Sequence, residues 1–183
     1  MGVPGLFLWL IKKYDLNNII VSNNSINEID SLFLDTNCLL HPQCFKTLDE
    51  FKGKDIKALE NEMIINCINY IEYLINYIKP TKLLYISIDG VAPFAKIDQQ
   101  RSRRFLSNKK NNQIYNLKKK WGINDDTIKW TNASITPGTI FMDKLDIKLK
   151  EWISKKRNNV PFKILYSSCY IPSEGEHKIL QYI

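Results

Sequence analysis

From Lys57 to Lys79 the apolar residues Leu59, Met63, Ile64, Ile68, Ile71, Leu74, Ile75 and Ile78 recur at helical spacing and form one broad stripe. Pro80 ends that helix, because a proline has no N–H to donate and its ring clashes with the preceding turn. A short apolar run, Ser31-Leu32-Phe33-Leu34, lies upstream and ends at Asp35; a second, Lys82 to Ile88, lies downstream and ends at Asp89-Gly90. Strand, long helix and strand make a βαβ unit. A helical crossover returns the chain to the same sheet edge, so the two strands are parallel and the connection is right-handed. This leaves an α/β fold with a mostly parallel sheet flanked by helices.

The remaining elements fit that plan. Leu6, Phe7, Leu10, Ile11 and Tyr14 predict a first helix with one face packed inward. Asn17 to Asp30 is a polar stretch broken only by Ile19 to Val21. A long polar helix begins after Pro93 and runs toward Lys120. Met142 to Lys155 is another helix, with Leu145, Leu149 and Trp152 on one side, and Phe162 to Ser167 is a third strand. Pro172 then precedes Glu174-Gly175-Glu176-His177-Lys178-Ile179, a loop entering a last helix. A chain of 183 residues with 44% apolar content supports one globular domain with a sizeable core.

In open α/β sheets, ligands bind beyond the carboxyl ends of the strands. Asp35 ends the first strand, Asp89 the second, and Glu174 and Glu176 follow the third, so three strands deliver four carboxylates to one edge. Clustered carboxylates repel one another and persist as anions where a cation neutralises them. A hard, oxygen-preferring ion, Mg²⁺ or Mn²⁺, is the natural guest. Singly, each acid has an ordinary explanation: Asp89-Gly90 as a turn, Asp35-Thr36-Asn37 as a helix cap, Glu174 and Glu176 as complements to a helix N-terminus. Periodicity alone leaves the two readings undecided.

Just beyond Asp89, Lys96, Gln100, Arg103 and Arg104 sit at i, i+4, i+7 and i+8 and share one helical face. Two guanidiniums, an ammonium and an amide suit a terminal phosphate, since arginine offers planar bidentate donors. Phe94 and Phe105 fall on the opposite side and are expected to anchor this helix to the core. Lys109, Lys110 and Lys118 to Lys120 extend the positive charge, and a solvated charged helix explains these distal lysines equally well. The chain carries 26 Lys and Arg against 19 Asp and Glu, a net +7 that favours polyanionic partners without proving one.

Other classes are disfavoured. The four cysteines, Cys38, Cys44, Cys67 and Cys169, form no CxxC pair, which argues for a reducing compartment rather than a disulfide framework. Cys38-x2-His41-x2-Cys44 resembles half a zinc site but lacks a second ligand cluster. The opening MGVPGLFLWLIKKY has no basic region before its short apolar run, Leu6 stands where a myristoylation signal needs Ser or Thr, and no stretch is long enough to span a bilayer. A cytoplasmic or nuclear location is expected.

Five blocks carry a resemblance to a known family. MGVP, Leu34-Asp35-Thr36-Asn37 with His41, IDGVAPFAKIDQQRSRRF from Ile88 to Phe105, SITPGTIFM from Ser134 to Met142, and PSEGEHKI from Pro172 to Ile179 resemble, in order, the XRN 5'→3' exoribonucleases. More distantly they resemble flap endonucleases, whose PIN-like core shares the acidic sheet edge. The resemblance implies that Asp35, Asp89, Glu174 and Glu176 hold divalent metal, and that Lys96, Gln100, Arg103 and Arg104 bind the 5'-monophosphate of single-stranded RNA. It also implies that His41 stacks on the first base, that Asn37 supports that site, and that a cap or triphosphate is excluded.

Two departures stand out. Phe94 occupies a position where relatives often carry Arg. The family pattern also continues with an Asp-x-Asp pair, a further Asp and an aromatic partner for the histidine, none of which follows here; Asp143 and Asp146 precede the Glu174 block and are no substitutes. The expectation is therefore an N-terminal nuclease domain over residues 1–183 that is incomplete at its C-terminal end. The rival readings are an inactive RNA 5'-end binder, which needs the basic face and no metal, and a 5' flap-type DNA nuclease.

Overall fold

The computed structural model describes residues 5–14, 28–122 and 130–183. Strands β1 (Ser31–Asp35), β2 (Leu83–Ser87) and β3 (Lys163–Ser167) form one parallel sheet in the order β1-β2-β3. Asp35 pairs in register with Ser87, and Ser87 with Ser167, so the three carboxyl ends finish level. Central β2 is buried along its whole length, whereas β1 is half-buried. Its side chains alternate as a pleated strand requires. Leu84 and Ile86 enter the main core, while Tyr85 faces the other side and meets Phe33 and Tyr182, with ring centroids 6.2 and 5.2 Å away.

Helices α1 (Leu6–Tyr14), α2 (Asn37–Glu50), α3 (Ile56–Ile78), α4 (Phe94–Lys120), α5 (Ile140–Lys156) and α6 (Gly175–Tyr182) complete the fold. The crossover helix α3 starts where Asp55 accepts the backbone N–H groups of Lys57 and Ala58, both at 3.1 Å, and it ends at Lys79 in the left-handed conformation before Pro80. Its buried stripe of Leu59, Met63, Ile64, Cys67, Ile71 and Ile75 packs with α2, α5 and β2 in one core. Each fully buried aliphatic side chain there contributes about 1.5–3 kcal/mol. Leu145 and Leu149 of α5 are fully buried in the same core, and Trp152 is partly so, its indole N–H donating to Glu72 at 2.8 Å.

The structure departs from the sequence reading in three places. The expected anchoring role of Phe94 and Phe105 is wrong: their side chains are 86% and 69% exposed, and no side chain of α4 with a described environment is buried. Among the described residues, no element buries the two rings. Tyr14 of α1, expected to face inward, is 58% exposed. The helix cap considered at Asp35-Thr36-Asn37 does open a helix, α2, with Thr36 at its N-cap, but its extent was not anticipated, because Pro42 lies inside it. Packing against α3 outweighs the missing N–H; Leu40 and Cys44 are fully buried, and Asn66 donates to the Thr47 hydroxyl at 3.0 Å. The MGVP block and nearly all of the polar stretch from Asn17 fall outside the described residues.

Candidate active site

The level strand ends put Asp35 at the tip of β1 and Asp89 two residues past the end of β2, with the turn into α6 crossing between them. Asp89 is held by two other segments of chain, the start of α2 and the turn into α6. Its backbone N–H donates to the Asn37 side chain at 3.1 Å, and its Oδ1 accepts the Gly175 N–H at 2.6 Å. The next residue, Gly90, exchanges backbone hydrogen bonds with the loop before α6: Gly90 N–H donates to Ser173 O at 2.9 Å, and Ser173 N–H to Val91 O at 3.0 Å. Gly90 cannot be replaced without moving that loop, since an added Cβ would lie 1.8 Å from the Ile171 carbonyl oxygen. Ser173 has φ of 97°, an unusual conformation for a residue with a side chain, and it sits directly before Glu174.

Gly175 sets the approach of the other acids. A Cβ on Gly175 would come within 2.6 Å of Asp35 Oδ1. That oxygen is buried and accepts no hydrogen bond, while Oδ2 meets the Cys38 thiol at 3.5 Å. Burial, then the negative charge of Asp89, pushes the Asp35 carboxyl above its usual range; the Cys38 thiol offsets part of this, and Glu176 adds a smaller push upward. Glu174 is buried and pairs with Lys96 at 2.9 Å. It occupies the N-cap position of α6 without a side-chain cap hydrogen bond, and Glu176 lies in the first turn, so both acids also complement the helix N-terminus. Among the described residues, Glu174, Glu176 and His177 bring candidate ligand atoms within 4.8 Å of one another; Asp35 and Asp89 lie outside that group. An orphaned buried carboxylate oxygen at a carboxylate-rich sheet edge fits a hard divalent cation.

Beside this edge opens a cleft of about 420 Å³ lined by Asn37, His41, Asp89, Gln100, Arg103 and Arg104. Its far wall is the 132–137 segment, through Asn132, Ala133, Ile135 and Pro137. The sequence reading quoted the SITPG block and gave it no role. Lys96, grouped with the phosphate-binding residues on helical spacing, is instead engaged by Glu174. His41 is half-buried, and burial lowers its pKa; Asp89 opposes this and Arg103 adds to it. A neutral imidazole presents a face for stacking. Cys44 does not join His41 in a zinc site: it is fully buried, with its sulfur 4.0 Å from that of Cys67.

Sequence reasoning also missed Lys178. It is buried, and its ammonium donates to the Ile88 carbonyl at 2.7 Å and the Ser168 carbonyl at 3.0 Å. Its position in the EGEHK block was the available signal, but a lysine one turn into a helix ordinarily faces solvent.

Comparison with known proteins places this arrangement. The family model described as "XRN 5'-3' exonuclease N-terminus" matches residues 1–183. The chain is 38% identical to "5'-3' exoribonuclease 1" of Schizosaccharomyces pombe, with all of the chain aligned to 14% of that protein's length. It is 37% identical to "5'-3' exoribonuclease 2" of Aspergillus oryzae and 38% identical to the protein of that name from Emericella nidulans, in each case over the whole chain and 21% of the relative. The chain thus spans about a fifth or less of the length of these relatives. No helix among the described residues is long and apolar enough to cross a membrane.

Proposed function

The chain belongs to the XRN 5'-3' exonuclease N-terminus family, and from that premise we propose that it recognises the 5'-monophosphate end of single-stranded RNA and supplies carboxylates for metal-dependent removal of the first nucleotide. Asp35, Asp89, Glu174 and Glu176 are the residues that would hold Mg²⁺ or Mn²⁺. A divalent ion there supplies polarisation of a phosphate oxygen and a lowered pKa for a water bound to it.

The chain's own residues do the positioning. Arg103 and Arg104 hold the 5'-phosphate with bidentate donors, Gln100 adds an amide donor, and Lys96 neutralises the buried Glu174 and adds positive charge beside the pocket. His41 stacks on the first base, and Asn37 fixes the Asp89 backbone beneath it. Cleavage between phosphorus and the leaving 3' oxygen keeps the phosphate on the downstream strand, which regenerates the group the pocket binds. Holding the end at a fixed distance from the acids converts a bimolecular encounter into an oriented one.

The observation that carries this reading is the single cleft shared by Asp89, His41, Gln100, Arg103 and Arg104. Flap-type DNA cleavage has no observation of its own in its favour. The test compares RNA bearing 5'-monophosphate, 5'-hydroxyl or 5'-triphosphate, with Mg²⁺ present or chelated. The monophosphate RNA is expected to bind most tightly, and shortening, where it occurs, is expected with that RNA alone and only with Mg²⁺ present. Equal handling of all three ends sinks the pocket assignment, and undiminished activity in chelator sinks the metal assignment.

A further inference from the structure

The acids of the sheet edge come from three separate stretches of chain, and their spacing has to be fixed by something. Lys178 is placed to fix it. Its ammonium donates to the carbonyl of Ile88, the residue before Asp89, at 2.7 Å, and to the carbonyl of Ser168, the residue after β3, at 3.0 Å. Its own backbone N–H donates to Glu174 O at 3.1 Å in the first turn of α6. One side chain therefore ties the ends of β2 and β3 to the turn that presents Glu174 and Glu176. The residue is only 5% exposed, an uncommon position for a lysine without a carboxylate directly on its ammonium.

A surface role is excluded by that burial, and a packing role alone explains neither the charge nor the two carbonyl contacts. Burial lowers the Lys178 pKa, and the negative charge of Asp89 opposes that lowering. The ammonium and the Asp89 carboxylate thus favour one another electrostatically. Of the other ties around Asp89, the Gly175 N–H and the Gly90–Ser173 pair use backbone donors, and the Asn37 side chain supplies one acceptor on the Asp89 side alone, without reaching β3 or α6.

We infer that Lys178 is a positioning residue of the metal centre: the length of its side chain sets the distance between Asp89 and the pair Glu174 and Glu176, and so sets divalent-metal affinity. This rests on the metal reading given under Proposed function. It assigns Lys178 no contact with metal or RNA.

The test measures Mn²⁺ binding to the full chain by the electron paramagnetic resonance signal of free Mn²⁺, with Tm recorded in parallel. Lys178→Met removes the donors and charge at similar length. Leu149→Ala, a fully buried core change in α5, serves as the control for lost stability. The Met variant is expected to bind Mn²⁺ at least tenfold more weakly than the parent, whereas Leu149→Ala lowers Tm and keeps parental affinity. If the Met variant does not fold, Lys178→Arg carries the test, because it keeps the charge and alters the reach. Weaker Mn²⁺ binding by a folded Arg variant supports the clamp. Parental or tighter Mn²⁺ binding by the folded Met or Arg variant overturns it, as does an equal loss of affinity in Leu149→Ala. A parent that binds no Mn²⁺ overturns the metal reading itself and takes the clamp down with it.

Discussion

Asp35 Oδ1 is buried and lacks a donor, which is unfavourable for a carboxylate unless a cation compensates. Its folded-state pKa is raised above the ordinary 3.8, chiefly by burial and then by Asp89. A carboxyl held protonated more tightly in the folded chain contributes stability below its unfolded pKa, and that contribution is lost as pH rises through the raised folded value. In chelator, Tm should therefore fall as pH climbs through that window, and Asp35→Asn should remove part of the fall. Added Mg²⁺ should raise Tm of the parent at neutral pH by several degrees and leave Asp35→Asn nearly unmoved; thermal melts with and without the ion check this. Gly175 supplies a second prediction at this scale. Gly175→Ala puts a methyl group where Asp35 Oδ1 now sits 2.6 Å from an ideal Cβ. Mg²⁺ affinity should drop about tenfold or more, read by calorimetry, with 5'-phosphate RNA binding in chelator changed less than threefold.

At the scale of the element, the sequence was most informative where period and punctuation agree. Helix α3 shows its stripe and its Pro80 stop in the bare string, and the fold uses both; the Asp55 cap at its start came from the structure. Asp55→Ala should lower stability by about 1 kcal/mol in urea unfolding and leave RNA binding untouched, since it removes a cap and nothing else. The extent of helix α2 was illegible for the opposite reason: Pro42 marks a break locally, and only burial of Leu40 and Cys44 against α3 overrides it. The orientation of α4 was also illegible. Periodicity identifies a face but not whether anything lies opposite it, so Phe94 and Phe105 were assigned to a core that none of the described elements provides. Lys178 escaped notice because its partners are backbone carbonyls of two distant strands, and these have no sequence signature.

Over the whole molecule, charge is sharply partitioned. Helix α4 carries nine basic residues against Asp98, a charge of +8, while the chain as a whole carries +7, so everything outside that helix nets −1. Composition reported the total but could not report that it belongs to one helix next to an acidic edge. Asp35 and Asp89 were legible at strand ends and share one edge by parallel topology, while the tight group of candidate ligand atoms among the described residues is Glu174, Glu176 and His177, and His177 had no role in the sequence reading. The cleft itself needed coordinates, because its 132–137 wall comes from a segment with no charge pattern to mark it. The partition has a measurable result. Asp89 stands in the cleft with Arg103 and Arg104 and repels a phosphate when no cation is present. In chelator, Asp89→Asn should tighten binding of 5'-monophosphate RNA roughly threefold to tenfold, and Arg103→Ala should weaken it more, by roughly 10-fold to 150-fold, equivalent to the ~1.5–3 kcal/mol of a charge-assisted hydrogen bond. Fluorescence anisotropy with a short 3'-labelled oligonucleotide distinguishes the two.

The strand order β1-β2-β3 follows the order of synthesis. As a nascent chain leaves the ribosome, Asp35, Asp89 and the arginines of α4 emerge well before the segment holding Glu174, Glu176 and Lys178. A polypeptide paused between those points has Asp35, Asp89 and the arginines of α4, but lacks the turn whose Gly175 N–H holds Asp89 Oδ1 and whose Glu174 pairs with Lys96. The last contacts around Asp89 therefore form only after the tunnel has released the turn into α6.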